Sequence, residues 1–72
     1  MNSPFMLQTA AALAQRAAAG SDEERVDRLY RIALGRPPSR DELALATEFA
    51  RSNAWPRLAQ TLLMTNEFMF ID

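Results

Sequence analysis

Apolar residues recur along the chain in four blocks, each with the spacing of an amphipathic helix. In the second block, Val26, Leu29, Tyr30 and Ala33 fall at positions i, i+3, i+4 and i+7, which places them on one helical face. The apolar stripes of the other blocks are Met6, Ala10, Leu13 and Ala17; Leu43, Ala46, Phe49 and Ala50, with Leu45 beside them; and Trp55, Leu58, Ala59, Leu62 and Leu63. This pattern predicts an all-α fold, a small four-helix bundle with short connections.

Start and stop signals between the blocks mark where the helices begin and end. Ser21–Glu24 and Ser39–Glu42 both have the capping-box sequence, in which a serine and a glutamate satisfy each other's backbone N–H groups. Gly20 and Gly35 can take the left-handed conformation that ends a helix, and Asn53 is expected to cap the fourth helix. Together the signals predict helices over roughly residues 3–19, 22–34, 40–52 and 54–68.

The same periodicity assigns polar side chains to the outside of the bundle. Thr47 is expected on the solvent side of the third helix. On the second helix, Glu24 with Arg28 and Asp27 with Arg31 have the i, i+4 spacing of acid–base pairs.

The composition narrows the chemistry that the chain can perform. It has 72 residues, 49% of them apolar, a formal net charge of -1, and no cysteine or histidine. These values indicate one small globular domain and exclude disulfides, thiol nucleophiles, imidazole bases and zinc sites of Cys or His. All eight cations are arginines, but nine acids balance them. We therefore expect no nucleic-acid partner, and no apolar run is long enough for a membrane span.

Acidic residues are concentrated where the second and third helices begin, at Asp22, Glu23 and Glu24 and again at Asp41 and Glu42. We interpret them as capping residues that also stabilise the helix dipole. No calcium-loop motif accompanies them. The sequence therefore predicts no catalytic residue, no metal site and no cofactor-binding residue in this chain.

Three side chains, Tyr30, Arg36 and Trp55, are candidates for a structural or a ligand-contacting role. Arg36 stands between Gly35 and two prolines, where its guanidinium could grip a carboxylate or phosphate, satisfy helix-end carbonyls, or tie the corner to the third helix. Tyr30 needs a partner for its hydroxyl if it is buried. Trp55 is either part of the core or an exposed platform for a sugar or a partner protein.

Met6, Phe68, Phe70 and Ile71 form a candidate interaction edge. The last three belong to a run of large apolar residues near the end of the sequence. A core of this size cannot easily cover them. We therefore predict that this edge serves self-association or contact with the remainder of a larger protein.

A helix-turn-helix DNA reader is a third alternative. The second and third helices and the turn from Gly35 to Ser39 would form it. The turn holds two prolines, and Asp41, Glu42 and Glu48 on the recognition helix would repel phosphates. This alternative is therefore disfavoured.

Three segments of the chain resemble a known family. They are Asn2–Phe5 with Ala12–Arg16, Leu29–Pro38 in the pattern Leu-Tyr-Arg-x-x-Leu-Gly-Arg-x-Pro, and Leu62–Asp72. In this order they resemble the C-terminal portion of the planctomycete PSD-one domain, a family of unknown function that is often fused to a cytochrome-like domain. Met64 departs from the family's pattern, which has asparagine there.

The resemblance implies that residues 1–72 are a single helical domain, the C-terminal piece of a larger protein, because family members are several times longer. It also implies an exported or cell-envelope location and an association with haem proteins or with polymer breakdown. It brings no catalytic residue to this chain. The chain has no Cys-x-x-Cys-His motif, so we expect no haem on this segment.

Two functions are compatible with these observations. We favour a non-enzymatic helical module for protein interaction or scaffolding within a larger exported protein. The alternative is a helical segment that completes an enzyme or a polysaccharide-binding protein. In that case Tyr30, Arg36 or Trp55 would line a site formed mostly by residues outside this chain.

Overall fold

Four α-helices make up the part of the protein that the computed structural model describes, which is the backbone of residues 4–69 and the side chains of residues 4–65. The helices are α1 (Pro4–Arg16), α2 (Asp22–Leu34), α3 (Arg40–Ser52) and α4 (Trp55–Met69). Residues 4–69 contain no strand. The predicted all-α bundle with short connections is confirmed.

Helices α2 and α4 form the centre of the bundle. Each of them contacts all three other helices, and the most extensive contact joins α1 to α4. Within the described residues α1 and α3 do not touch. They are therefore the outer helices, and each is held by the central pair.

The core is built from residues of the four predicted stripes together with Ala14, and it is rich in small residues. Its buried apolar members are Ala10, Leu13, Ala14, Ala17, Val26, Leu29, Tyr30, Ala33, Ala46, Ala50, Leu58, Ala59 and Leu62. More than half are alanines, which let helix backbones approach closely. Leu29 and Val26 are the largest side chains that are fully buried, and each burial contributes about 1.5–3 kcal/mol.

Both predicted capping boxes are present. At the start of α2, the Ser21 hydroxyl accepts from the Glu24 N–H at 3.2 Å, and the Glu24 carboxylate accepts from the Ser21 N–H at 2.7 Å. At the start of α3, Ser39 and Glu42 make the same pair of bonds at 3.1 and 2.8 Å. These local signals therefore set the beginnings of both helices, as the sequence predicts.

Helix α1 ends at Arg16, about one turn before the predicted end. Arginines of α2 supply the reason, because they bind the carbonyls that follow. Arg25 Nε donates to the Ala17 carbonyl at 3.2 Å, and Arg28 Nη1 donates to the Ala19 carbonyl at 2.7 Å. With these carbonyls satisfied from outside, the chain can leave the helix early.

The same contacts decide which surface ion pairs form on α2. Asp27 accepts from Arg31 Nε at 2.7 Å, as predicted. Among the described residues Glu24 and Arg28 form no direct salt bridge, but after the hydrogen bonds with Ser21 the charge of Arg28 also lowers the pKa of Glu24, so the predicted pair acts only through space. Glu24 is committed to the capping box and Arg28 to the end of α1.

Two further predictions are wrong at α3 and its connection to α4. Thr47 is only 5% exposed, because it shares a helical face with Leu43 and Ala50. Its hydroxyl has no hydrogen-bond partner among the residues that the structure describes. Asn53 does not cap α4. Its Nδ2 donates to the Phe49 carbonyl at 3.0 Å and so caps the end of α3 instead.

Candidate interaction site

An apolar groove lies between α3 and α4, and α2 also contributes to its lining. Its volume is about 250 Å³. We call it the α3–α4 groove. It is lined by Tyr30, Leu34, Arg36, Glu42, Leu45, Ala46, Phe49, Leu58, Thr61, Leu62 and Thr65.

The register of the two helices explains why a groove forms there. Each helix lines it with four residues at i, i+3, i+4 and i+7, a complete helical stripe. These are Glu42, Leu45, Ala46 and Phe49 on α3, and Leu58, Thr61, Leu62 and Thr65 on α4. Leu45 is 73% exposed, whereas Leu58 and Leu62 are buried. The groove therefore has an apolar wall on each side and is open at its α3 edge.

An arginine–glutamate pair closes the groove at the corner between α2 and α3. Arg36 Nη1 and Nη2 donate to the two carboxylate oxygens of Glu42, each at 2.8 Å, and Nη1 also donates to the Pro37 carbonyl at 3.1 Å. This bidentate contact, followed by the hydrogen bond from the Ser39 N–H, lowers the pKa of Glu42 to about 2. The donors of Arg36 are thus largely engaged within the chain.

Tyr30 forms part of the groove wall beside this pair. Its ring centroid lies 5.9 Å from the Arg36 guanidinium carbon, a cation–π distance. Burial raises the pKa of the Tyr30 phenol, the negative charge of Glu42 raises it further, and Arg36 acts in the opposite direction. The phenol is therefore neutral at pH 7 and contributes mainly an aromatic surface.

The polar side chains of the α4 wall are also engaged within the chain. The Thr61 hydroxyl donates to the Arg57 carbonyl at 2.9 Å, and the Thr65 hydroxyl donates to the Thr61 carbonyl at 2.9 Å. Both bonds run back to the preceding turn of the same helix. Most polar groups that line the groove are therefore already hydrogen-bonded within the chain.

Trp55 does not line the groove. The Arg25 guanidinium stacks over its ring with 3.8 Å between the guanidinium carbon and the ring centroid, while Arg25 Nε holds the end of α1. The structure thus brings Tyr30 and Arg36 together and places Trp55 in a separate cluster with an arginine of α2.

The predicted interaction edge falls largely outside the described residues. Met6 is half-buried on α1. The backbone of Phe68 belongs to α4, but its side chain lies outside the described part, as do Phe70 and Ile71. This edge stays a prediction.

The large apolar residues that the structure does expose are distributed over three helices. They are Phe5 and Leu7 on α1, Ile32 on α2 and Leu45 on α3, and Leu45 is the one that lines the α3–α4 groove. Sequence reasoning placed Leu45 beside the α3 stripe and did not identify it as part of a site. Threonines at positions 61 and 65 complete the facing stripe of α4, and a pattern of apolar residues does not reveal them.

The described side chains contain no cluster of three or more potential metal ligands. None of the helices within the described range combines the length and apolar character needed to cross a membrane.

Comparison with known proteins places the chain in a family. No curated protein and no solved structure matches it. Residues 1–50 match PSD1, described as a protein of unknown function (DUF1553). Of the segments that carry the resemblance, Asn2–Phe5, Ala12–Arg16 and Leu29–Pro38 lie inside the matched range and Leu62–Asp72 lies outside it. Because the match spans more than half of the 72 residues, the chain belongs to the PSD1 family of proteins of unknown function, as the resemblance predicts.

Proposed function

We propose that the chain is a non-enzymatic helical module that binds another protein through the α3–α4 groove. One observation carries this proposal: Leu45 is 73% exposed at the edge of a groove whose lining is mostly apolar. Burying a leucine side chain contributes about 1.5–3 kcal/mol. A partner that covers Leu45 and fills the groove would gain this free energy without rearranging the bundle.

The polar groups around the groove favour binding over catalysis. Arg36 and Glu42 neutralise each other through two hydrogen bonds, and the hydroxyls of Thr61 and Thr65 bond to their own helix. A catalytic site keeps an acid, base or nucleophile available to the substrate. Here the available surface is apolar, which is the property that a protein partner recognises.

Binding of the neutral apolar dye Nile red tests whether the groove accepts an apolar group. The full chain is titrated with the dye, and Leu45→Glu is compared with Leu7→Glu as a matched control, because Leu7 is an exposed leucine outside the groove. We expect Leu45→Glu to abolish the fluorescence increase and Leu7→Glu to keep it. Circular dichroism melts confirm that both variants fold. Equal binding by both variants, or no binding by the wild type, would contradict the proposal.

The predicted edge of Met6, Phe68, Phe70 and Ile71 is a second proposed contact surface of this module. Light scattering at two protein concentrations about tenfold apart tests it. We expect a concentration-dependent increase in mass that the double variant Phe68→Ser and Phe70→Ser removes. A constant monomer mass in the wild type, or association that survives both substitutions, would remove this edge from the proposal.

A further inference from the structure

We infer that the occupant of the α3–α4 groove is an amphipathic helix of a partner protein, with basic residues along one edge of its apolar stripe and an acidic residue along the other. This inference rests on the proposed function, and it specifies the partner of the same groove.

The chemistry of the groove walls selects a helix over an extended peptide. Both walls are α-helices, so their backbone groups are already paired and offer no edge for strand addition. The Thr61 and Thr65 hydroxyls and the Arg36–Glu42 pair are engaged within the chain. An extended segment would therefore bury N–H and C=O groups without partners, at a cost in free energy. A helix satisfies its own backbone and presents only side chains.

The size of the groove indicates how much of that helix enters it. Its volume of about 250 Å³ lies below the roughly 300–1,000 Å³ of typical small-molecule sites. The space is suited to a few apolar side chains spaced at i and i+3 or i+4. The residues of α3 and α4 that line the groove have this same spacing. An apolar stripe on a partner helix can therefore pack between them.

The two edges of the groove carry charges of opposite sign. On α3, Asp41 and Glu48 lie four residues before and three residues after Leu45, on the outer side of that residue. On α4, the exposed Arg57 lies four residues before Thr61. Complementary charges on the partner would therefore be basic toward α3 and acidic toward α4.

These edge charges are available to a partner. Among the described residues Asp41 and Arg57 form no ion pair, and Glu48 has only a 4.0 Å contact with Arg51 in which the Glu48 side chain stays 73% exposed. A partner helix with basic residues along both edges would place positive charge next to Arg57. A helix with acidic residues along both edges would place negative charge next to Asp41 and Glu48. A ligand with one charge type on each edge avoids both repulsions.

A second copy of this chain does not offer a matching helix on its most apolar exposed surface. Helix α1 exposes Phe5 and Leu7, but it has no acidic residue, and Arg16 is its one cation. The charge pattern of the groove therefore favours a different protein as the partner.

Three synthetic helical peptides test the inference by fluorescence anisotropy at low salt. They share one apolar stripe and differ in their edges, which are mixed, acidic on both sides, or basic on both sides. We expect the mixed peptide to bind the full chain about fivefold more tightly than either of the others, because surface ion pairs are individually weak. We expect this preference to shrink as salt is added.

Variants assign the preference to the groove edge. In the double variant Asp41→Asn and Glu48→Gln, we expect the acidic peptide to bind within about twofold of the mixed peptide, because surface pairs contribute little once the repulsion is removed. Glu23→Gln removes an exposed acid on α2 outside the groove and should keep the wild-type preference. If circular dichroism shows that the double variant is unfolded, Glu48→Gln alone makes the same comparison.

The failure of this inference is distinguishable from the failure of the proposed function. If Nile red binds in a Leu45-dependent way but the peptides bind without regard to charge, or do not bind, the groove stands and the inference is overturned. If light scattering shows a dimer that Leu45→Glu dissociates, the occupant is a second copy and the inference is likewise overturned. If Nile red does not bind the wild type, the proposed function itself fails.

Discussion

The corner between α1 and α2 and the corner between α2 and α3 begin from the same local chemistry. Each has a glycine with positive φ, 93° at Gly20 and 73° at Gly35, and each leads into a serine–glutamate capping box. The arginines that stabilise the two corners come from different parts of the chain and bind different groups. At the first corner, Arg25 and Arg28 reach back from α2 to the carbonyls that follow α1.

The second corner is held through a carboxylate. Arg36 lies in the corner itself and reaches forward to Glu42 of α3. Glu42 therefore both caps a helix and binds an arginine, whereas within the described residues Glu24 at the first corner makes only the hydrogen bonds of its capping box. Both corners contain a carboxylate with a lowered pKa, but the pKa of Glu24 is lowered mainly by its hydrogen bonds with Ser21, whereas the bidentate contact with Arg36 lowers the pKa of Glu42 to about 2. The two corners should therefore differ in how strongly they respond to mutation and to acid.

The largest expected difference comes from replacing each glycine with alanine. Both substitutions place a Cβ at positive φ, which costs about 1–2 kcal/mol. At Gly20 the new Cβ would also lie 2.7 Å from Glu24 Oε1, whereas at Gly35 nothing lies within 4 Å. We expect Gly20→Ala to lower the free energy of unfolding by about 2 kcal/mol and Gly35→Ala by about 1 kcal/mol, measured by urea denaturation. Equal losses would show that the Glu24 carboxylate moves aside freely.

Acid should weaken the second corner by a somewhat smaller amount. The pKa of Glu42 is about 2 in the folded protein and 4.5 ordinarily. Its stabilisation is therefore fully present above about pH 4.5 and is lost as the pH falls toward 2. Because its side chain is 35% exposed, we expect this part of the loss to be on the order of 1 kcal/mol. Urea denaturation at several pH values should give a shallower acid loss for Glu42→Gln than for the wild type. Parallel curves would contradict this prediction.

At neutral pH, the matched pair Glu42→Gln and Glu24→Gln sharpens the same comparison. Glutamine can still serve in a capping box, so each substitution mainly removes charge. We expect Glu42→Gln to lower the free energy of unfolding by about 0.5 kcal/mol, and Glu24→Gln to have a smaller effect. Thermal denaturation of the two variants side by side measures the difference. A larger loss from Glu24→Gln would contradict the prediction that the arginine-bound carboxylate of Glu42 contributes more to stability than that of Glu24.

The smallest expected effect distinguishes the two arginines of the first corner. Arg25 stacks on Trp55 as well as binding the Ala17 carbonyl, whereas Arg28 binds the Ala19 carbonyl. Arg25→Ala should shift the Trp55 fluorescence to longer wavelength, because one face of the ring becomes solvated. Arg28→Ala is the control and should leave the emission unchanged. An equal shift in both variants would show that the stacking is not responsible.

Much of the fold was predictable because its signals are local. Each capping box lies within four residues, and the α2 stripe of Val26, Leu29, Tyr30 and Ala33 repeats with the helical period. All four of these residues are buried. The end of α1 was not predictable in this way, because it depends on arginines of another helix that bind its carbonyls.

The candidate site was predictable only where its members are close in sequence. Tyr30 and Arg36 were identified from their surroundings in the chain, and both line the groove. Leu45, Thr61 and Thr65 gain their importance from the way in which α3 and α4 face each other. Hydrophobic patterning cannot show this, because it counts threonine as polar and does not distinguish an exposed leucine from a buried one. The burial of Thr47 was missed for the same reason.

The extensive contact between α1 and α4 joins the two helices that are furthest apart in sequence within the described residues. During synthesis α1 emerges before the other three helices, at about 5–20 residues per second. Until α4 follows, α1 has only its contact with α2, the smallest among the helix pairs that touch. The apolar stripe of α1 is therefore open to solvent or to a chaperone for seconds, until the ribosome has synthesised α4. Docking of α4 closes the bundle, and because it joins distant segments it is the step with the greatest loop-closure entropy.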